Sequence, residues 1–249
     1  MAVPGVAGSG SLGRELLLGS ADVTDDSHAD AAADFIEATR SSYDTIAPAY
    51  SAEHPDGLGD GPLETALLTA FADLARAAAP GAPVADVGSG PGYVTARLNA
   101  LGIQAFGIDI SPHMVALARE AHPRLRFEVG SMTSLDVPDA TLGGIIALYS
   151  TIHIPDPELP GVFTEFHRAL RPGGHVLLAF QASEGEHIHM TERYGLDISL
   201  DYYFRTPAEV AGFLAGAGLS LDAQVRVEPR GEQRLGRAFA LAHRPSASG

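Results

Sequence analysis

The sequence predicts an α/β fold, a seven-stranded and mostly parallel β-sheet with helices on both faces and a C-terminal antiparallel hairpin. Three observations predict it. From residue 84 onward, strand-like and helix-like segments alternate with short connections, the pattern of parallel strands joined by crossover helices. The run Leu142 to Tyr149 is nearly all apolar, as a strand covered on both faces requires. The last two apolar runs, Leu219 to Val227 and Leu235 to Ala242, alternate more, as a hairpin at a sheet edge does.

Each element has a local reason. Residues 1–29 are rich in Gly, Ala, Ser and Asp, show no sustained period and read as a disordered acidic tail. From Asp30 to Ser51, the apolar positions Phe35, Ile36, Tyr43, Ile46, Ala47 and Tyr50 recur at helical spacing, interrupted by Pro48. His54 to Pro62 is Pro-, Gly- and Asp-rich. Leu63 to Ala79 is an amphipathic helix stopped by Pro80-Gly81. Val84 to Val87 is a short strand, and Pro91 to Ala100 a helix ending near Gly102. Ile103 to Ile108 is the second strand. Ser111 caps a helix to Glu120, with Pro112 at its first position. Leu125 to Val129 and Leu142 to Tyr149 are strands three and four. A helix covers Glu158 to Leu170 and a fifth strand His175 to Phe180. The aromatic and acidic segment 181–205 breaks the rhythm and reads as an insertion. Thr206 caps a helix to Ala215. With no internal repeat, residues 30–249 form one domain, whose first part, 30–80, is a helical cap.

Composition excludes several chemistries. The 249 residues carry 16 basic side chains, all arginine, against 31 acidic ones, and contain no cysteine. A disulfide framework, a thiolate metal site, a cysteine nucleophile, a lysine Schiff base and a P-loop lysine are therefore excluded. A net charge of −15 argues against a nucleic-acid backbone as partner. No apolar run approaches the ~18 residues of a membrane span, and the N-terminal stretch is a poor signal peptide, so a soluble cytoplasmic protein is expected. Residues 1–60 hold 11 acidic side chains and two arginines. That fits a solvated tail or a lid that favours cationic ligands.

The informative run is Val84-Ala85-Asp86-Val87-Gly88-Ser89-Gly90-Pro91-Gly92-Tyr93. An apolar strand feeds a glycine turn that opens a helix, and glycines let a backbone approach a ligand at positive φ. Strand two closes on Asp109, where an acidic side chain accepts hydrogen bonds from a ribose. A dinucleotide fingerprint wants Gly-x-Gly-x-x-Gly. Here the third glycine, Gly92, comes one position early, and Asp86 before the loop would repel a diphosphate. A nicotinamide oxidoreductase is thereby disfavoured, whereas a cationic or amino-bearing ligand would tolerate Asp86, directly or through water.

These motifs resemble the class I S-adenosylmethionine-dependent methyltransferases, a Rossmann-like family. Asp86, Gly88, Gly90 and Gly92 match its D-x-G-x-G-x-G loop, Asp109 its acidic strand end, and Leu170-Arg171-Pro172-Gly173-Gly174 its L-x-P-G-G signature. The resemblance implies that the loop holds the amino-acid part of S-adenosylmethionine, with Asp86 near its ammonium. Asp109 would take the ribose hydroxyls, and Ile110 and Met114 would pack on the adenine. Ser131 stands where the family often has Asp, so Ser131 and Met132 would meet the adenine edge in its place. Leu148 would be a further cofactor contact. Tyr43 and Tyr50 resemble cap-helix tyrosines that close over the methionine end, Tyr43 toward the cofactor and Tyr50 toward the acceptor. The product would be S-adenosylhomocysteine.

Methyl transfer needs positioning, dryness and, for some nucleophiles, a base. His153, in Tyr149-Ser150-Thr151-Ile152-His153 just beyond strand four, is the base candidate, with Tyr149 as a second catalytic candidate. His187 and His189 would share a strand face and, with Tyr202 and Tyr203, line an acceptor pocket; a metal site is not expected. The acidic, tyrosine-rich segment favours an aromatic acceptor, indole- or amine-bearing, methylated at carbon or nitrogen. Alternatives are O-methylation of a phenolic or carboxylic metabolite, or a non-methylating cyclase on the same scaffold. The resemblance points to the stand-alone enzymes of actinobacterial specialised metabolism, acting on small molecules as a monomer or homodimer.

Overall fold

A computed structural model describes residues 24–54, 61–229 and 234–246, with side chains described from Asp34 onward. Most of the expected tail, 1–23, lies outside the described residues. The first helix, α1 (Thr24–Glu53), begins ahead of the expected Asp30. α2 (Pro62–Ala78) completes the cap. Then follow β1 (Val84–Val87), α3 (Tyr93–Ala100), β2 (Ala105–Asp109), α4 (Pro112–Ala121), β3 (Phe127–Val129) and β4 (Leu142–Leu148). α5 (Leu159–Ala169) leads into β5 (Leu170–Ala182). β6 (His187–Arg193), β7 (Leu196–Tyr203), α6 (Pro207–Gly216), β8 (Ser220–Val227) and β9 (Gly236–His243) complete the chain.

The main sheet has the order β3-β2-β1-β4-β5-β9-β8. Its first five strands are parallel, while β9 runs antiparallel to both β5 and β8. Strand order reverses between β1 and β4, and a crevice opens there beyond the carboxyl ends of the strands. β4 shows why its sequence is apolar throughout. Ile145 packs with Phe163 and Phe166 of α5 in one cluster, and Ile146 packs with Leu68 and Phe71 of α2 in another. Each fully buried side chain of this kind contributes about 1.5–3 kcal/mol. Gly144 makes room for α2, because a Cβ there would lie 2.8 Å from Phe71 Cζ.

Two features differ from the sequence reading. β5 starts at Leu170 rather than His175, and its pairing with β4 shifts register between Leu142 and Gly144. The Pro172-Gly173-Gly174 turn is absorbed as an irregularity, with Gly173 at φ +80°. The segment expected to break the rhythm is a second, two-stranded sheet, β6 against β7. Tyr194 and Gly195, both at positive φ, make its turn. The hairpin is tied to α1: Ser42 Oγ donates to the Ser199 carbonyl at 2.9 Å and accepts from the Ser199 N–H at 3.0 Å. Among the described residues no helix is long and apolar enough to cross a membrane.

Candidate active site

The glycine turn after β1 is shaped by close approaches on two sides. Gly88 has φ +76°, and a Cβ there would lie 2.3 Å from Ser150 Cβ. Gly92 has φ +86°, and its Cβ would lie 2.6 Å from Phe127 Cζ. Gly90 differs: at φ +50° its Cβ would meet nothing within 4 Å, so the backbone there faces open space. The turn is anchored to the end of β2, since the Gly88 and Ser89 N–H groups donate to the Ile108 carbonyl at 2.8 and 3.1 Å.

Asp109 closes β2 and is only 7% exposed. Oδ2 accepts from the Gly90 N–H at 2.7 Å and Oδ1 from the Ser111 N–H at 2.9 Å. Burial pushes its carboxyl up to about 6, against the pull of those two N–H donors. Each oxygen retains acceptor capacity for a further donor. Asp86, at the centre of β1, is buried and accepts from Thr95 Oγ1 at 2.6 Å. Burial pushes it up to about 7, with the Thr95 bond working the other way.

Beyond these groups lies a cavity with about 730 Å³ of empty space, part of it open to solvent. Gly88, Gly90, Asp109, Ile110 and Met114 line it from the β1 and β2 ends, and Ser131 and Met132 from the segment after β3. The end of β4 adds Leu148, Tyr149, Ser150 and His153, and α1 adds Phe35, Ile36, Thr39, Tyr43 and Tyr50. A smaller adjoining cavity is lined by Asp86, Ser89, Tyr93 and His54, and shares Gly88, Gly90, Tyr50 and Leu148 with the larger one.

His153 lies in a 3₁₀ turn, Thr151–His153, and is 4% exposed. Its Nδ1 is 2.7 Å from the Asp201 carbonyl, and its Nε2 is 2.8 Å from the Tyr43 hydroxyl. A carbonyl only accepts, so Nδ1 carries the proton and Nε2 accepts from Tyr43. Burial, assisted by the Arg193 charge, pulls the imidazole down to about 4, while the Asp201 carbonyl pulls the other way. Burial also holds the Tyr43 phenol well above its ordinary range. The pair is thus neutral at physiological pH. Tyr43 spends its one proton on His153, so its oxygen has lone pairs left for a donor in the cavity.

The structure gathers most of the expected residues: Tyr43, Tyr50, Gly88, Gly90, Asp109, Ile110, Met114, Ser131, Met132, Leu148, Tyr149 and His153 all line the main cavity. Others lie elsewhere. Gly92 packs against Phe127, and Asp86 faces the adjoining cavity. Tyr202 is buried, its ring 4.7 Å from that of His153, and supports the site from behind. His187 and His189 do share a strand face, but it is an outer one. Both bond Asp201 Oδ1, at 2.7 and 3.0 Å, and Tyr203 stacks on His187 at 4.6 Å. These three do not line the cavity. Among the described residues no group of His, Cys, Asp and Glu has metal-binding geometry. Phe35, Ile36 and Thr39 line the cavity without having been singled out from sequence. Their helical spacing was visible, but nothing local shows that this face covers a crevice rather than core.

A nucleoside sulfonium fits this donor set. Gly90 leaves room for close backbone contact, Asp109 offers two oxygens to adjacent hydroxyls, and Ile110, Met114 and Met132 supply apolar surface for a flat base. Ser89 Oγ is buried without a partner and borders the adjoining cavity, a free hydroxyl toward a polar group there.

The chain is similar to known methyltransferases. Residues 84–174 match a family model described as a methyltransferase domain. A ubiquinone biosynthesis O-methyltransferase of Xanthomonas axonopodis pv. citri is 29% identical over 163 residues, 59% of this chain and 66% of that protein. An arsenite methyltransferase of Halobacterium salinarum is 28% identical over 163 residues, 62% of this chain and 38% of that one. The chain thus spans less than two thirds of the length of these relatives. Among solved structures, a methyltransferase from Methanosarcina mazei superposes with TM-score 0.59 at 19% identity, covering 66% of this chain and 93% of that one. The [4+2]-cyclase SpnF superposes with TM-score 0.62 at 18% identity, covering 84% and 96%. The two structures show the shared fold. Residues 84–174 are thus similar to a methyltransferase domain, and the fold is one shared with S-adenosylmethionine-dependent methyltransferases of known structure.

Proposed function

We propose that the protein transfers a methyl group from S-adenosylmethionine to a small aromatic acceptor. One observation carries this reading: the glycine turn and Asp109 share a single cavity with a neutral, oriented His153–Tyr43 pair. Bound there, S-adenosylmethionine supplies an electrophilic methyl on a sulfonium. Asp109 would bind its ribose hydroxyls, and Asp86, which lines the adjoining cavity, would hold its ammonium end. Tyr43 accepts a hydrogen bond from the N–H or O–H of the acceptor. As that proton moves to the Tyr43 oxygen, the Tyr43 proton passes to His153 Nε2, and the imidazolium is then bonded at both nitrogens. Tyr50, Phe35 and Tyr149 give the cavity aromatic surface for a flat molecule.

The expected preference for an amine rested on the acidic segment 181–205. Asp201 there turns its carboxylate to the outer histidines, and Glu184, Glu186, Glu192 and Asp197 are exposed. The aromatic character of the acceptor therefore stands on firmer ground than its charge. Carbon, nitrogen and oxygen nucleophiles all suit the Tyr43–His153 pair. The test is a product screen by mass spectrometry over phenols, aromatic amines, indoles and aromatic acids. Gain of one methyl with release of S-adenosylhomocysteine supports the proposal. Because the fold is shared with a cyclase, an isomerised product without added methyl would replace it with cofactor-assisted cyclisation.

A further inference from the structure

Arg193 ends β6 and is the one arginine between residues 182 and 204. It is half-buried, and no carboxylate lies within ion-pair distance among the described residues. The contrast with Arg205, at the other end of the same segment, is direct. Arg205 donates to Asp156 at 2.7 Å and to the carbonyls of Thr151 and Ile154, so its fork is filled. Arg193 donates to the Tyr202 hydroxyl at 3.0 Å. Otherwise it lies over the Tyr50 ring at 5.6 Å and the Tyr194 ring at 4.9 Å. A phenol oxygen is a weak acceptor beside a carboxylate, and a guanidinium has five N–H donors arranged as a fork. Among the described residues its neighbours are thus phenols, with no carboxylate across the fork.

Its position decides what it can serve. Tyr202, which it bonds, packs edge-on against His153, and Tyr50, over which it lies, lines the main cavity. The guanidinium is thus one side chain away from the His153–Tyr43 pair, behind Tyr50 and Tyr202 rather than on the cavity wall itself. The Ser42–Ser199 bonds fix its hairpin to the helix that carries Tyr43 and Tyr50. A partly desolvated cation, held in place beside aromatic rings and without an anion, is arranged to receive one.

We propose that Arg193 is a specificity-determining residue that receives the carboxylate of an aromatic acid, so that the methyl acceptor is a carboxylate-bearing aromatic compound. This rests on the methyltransferase reading above. It also gives the negative chain a local exception, because the acceptor end holds an unneutralised positive charge. A carboxylate there would offset the Arg193 charge that now depresses His153, so that the correct acceptor would strengthen the base it needs.

The test is isothermal titration of the full chain preloaded with S-adenosylhomocysteine. The probes are benzoate, phenylacetate and indole-3-acetate, each against its primary amide. The expected result is that at least one acid binds at least about tenfold more tightly than its amide, and that R193Q removes the difference while R193K keeps part of it. Thermal melting of both variants checks that they fold. Equal affinity for acids and amides in the unaltered protein overturns the proposal, as does an unchanged acid preference in R193Q. A loss of S-adenosylhomocysteine affinity in R193Q, absent for its decarboxylated analogue, also overturns it, by placing the guanidinium on the cofactor's own carboxylate. Failure of the unaltered protein to bind S-adenosylhomocysteine at all would instead sink the methyltransferase reading.

Discussion

Acidification should weaken cofactor binding by an amount that the two buried carboxyls set. Asp86 titrates at about 7 and Asp109 at about 6 in the ligand-free protein, both raised by burial. An ammonium beside Asp86 and two hydroxyl donors at Asp109 favour the ionised forms, so binding releases whatever protons these groups hold. At about pH 6.5 Asp86 is roughly three-quarters protonated and Asp109 roughly one-quarter, so about one proton leaves on binding. At about pH 8.5 almost none does. Between about pH 8 and about pH 6, affinity for S-adenosylhomocysteine should fall about 20-fold, or about 1.8 kcal/mol. The sign for stability follows from the same shifts. The folded state binds these protons more tightly than the unfolded chain, so ligand-free stability falls as pH rises from about 4 to about 7. Ligand then stabilises most above that window. The assay is isothermal titration across this pH range in two buffers of different ionisation enthalpy. Heats that do not depend on the buffer at about pH 6.5, together with affinities within about twofold from pH 6 to 8, would refute the reasoning.

Tyr43→Phe and His153→Ala should each lower kcat by about 10²-fold while S-adenosylhomocysteine affinity changes less than about threefold. The double variant should be no slower than the worse single one, because the two act as a unit; steady-state kinetics with the acceptor from the screen decides this. Gly88→Ala should cost more stability than Gly90→Ala in denaturant unfolding, since only the first drives a Cβ into Ser150, while both pay the positive-φ cost of about 1–2 kcal/mol. Gly90→Ala should instead weaken cofactor binding, because its methyl projects into the open space of the site. Ser42→Ala should destabilise the protein by about 1–3 kcal/mol, leaving the Ser199 N–H and carbonyl without partners, and amide exchange should rise first in β6 and β7.

What was legible in the sequence follows from how local the signals are. The glycine turn needs positive φ at Gly88, Gly90 and Gly92, and only that residue type marks it. Asp109 is an acidic group ending an apolar strand, which is also visible locally. The residues that line this half of the cavity could therefore be named one by one. His153 could be named as a candidate, but not its tautomer. That depends on the Asp201 carbonyl and the Tyr43 hydroxyl, which are brought together across 48 and 110 residues. The hairpin β6–β7 was missed because its charged and aromatic residues hide the two-residue period. With it the sides of the segment were misread: His187, His189 and Tyr203 turn outward and Tyr202 inward. One register step in a strand reverses every side chain, and composition cannot choose the register.

The central proposal is a cofactor site built from the glycine turn and Asp109. Titration of S-adenosylmethionine into the purified chain tests it most directly. One molecule should bind per chain, Asp109→Ala should abolish binding without unfolding the protein, and a nicotinamide dinucleotide should not compete. A chain that binds the dinucleotide, or binds S-adenosylmethionine equally well after Asp109 is removed, would contradict the assignment.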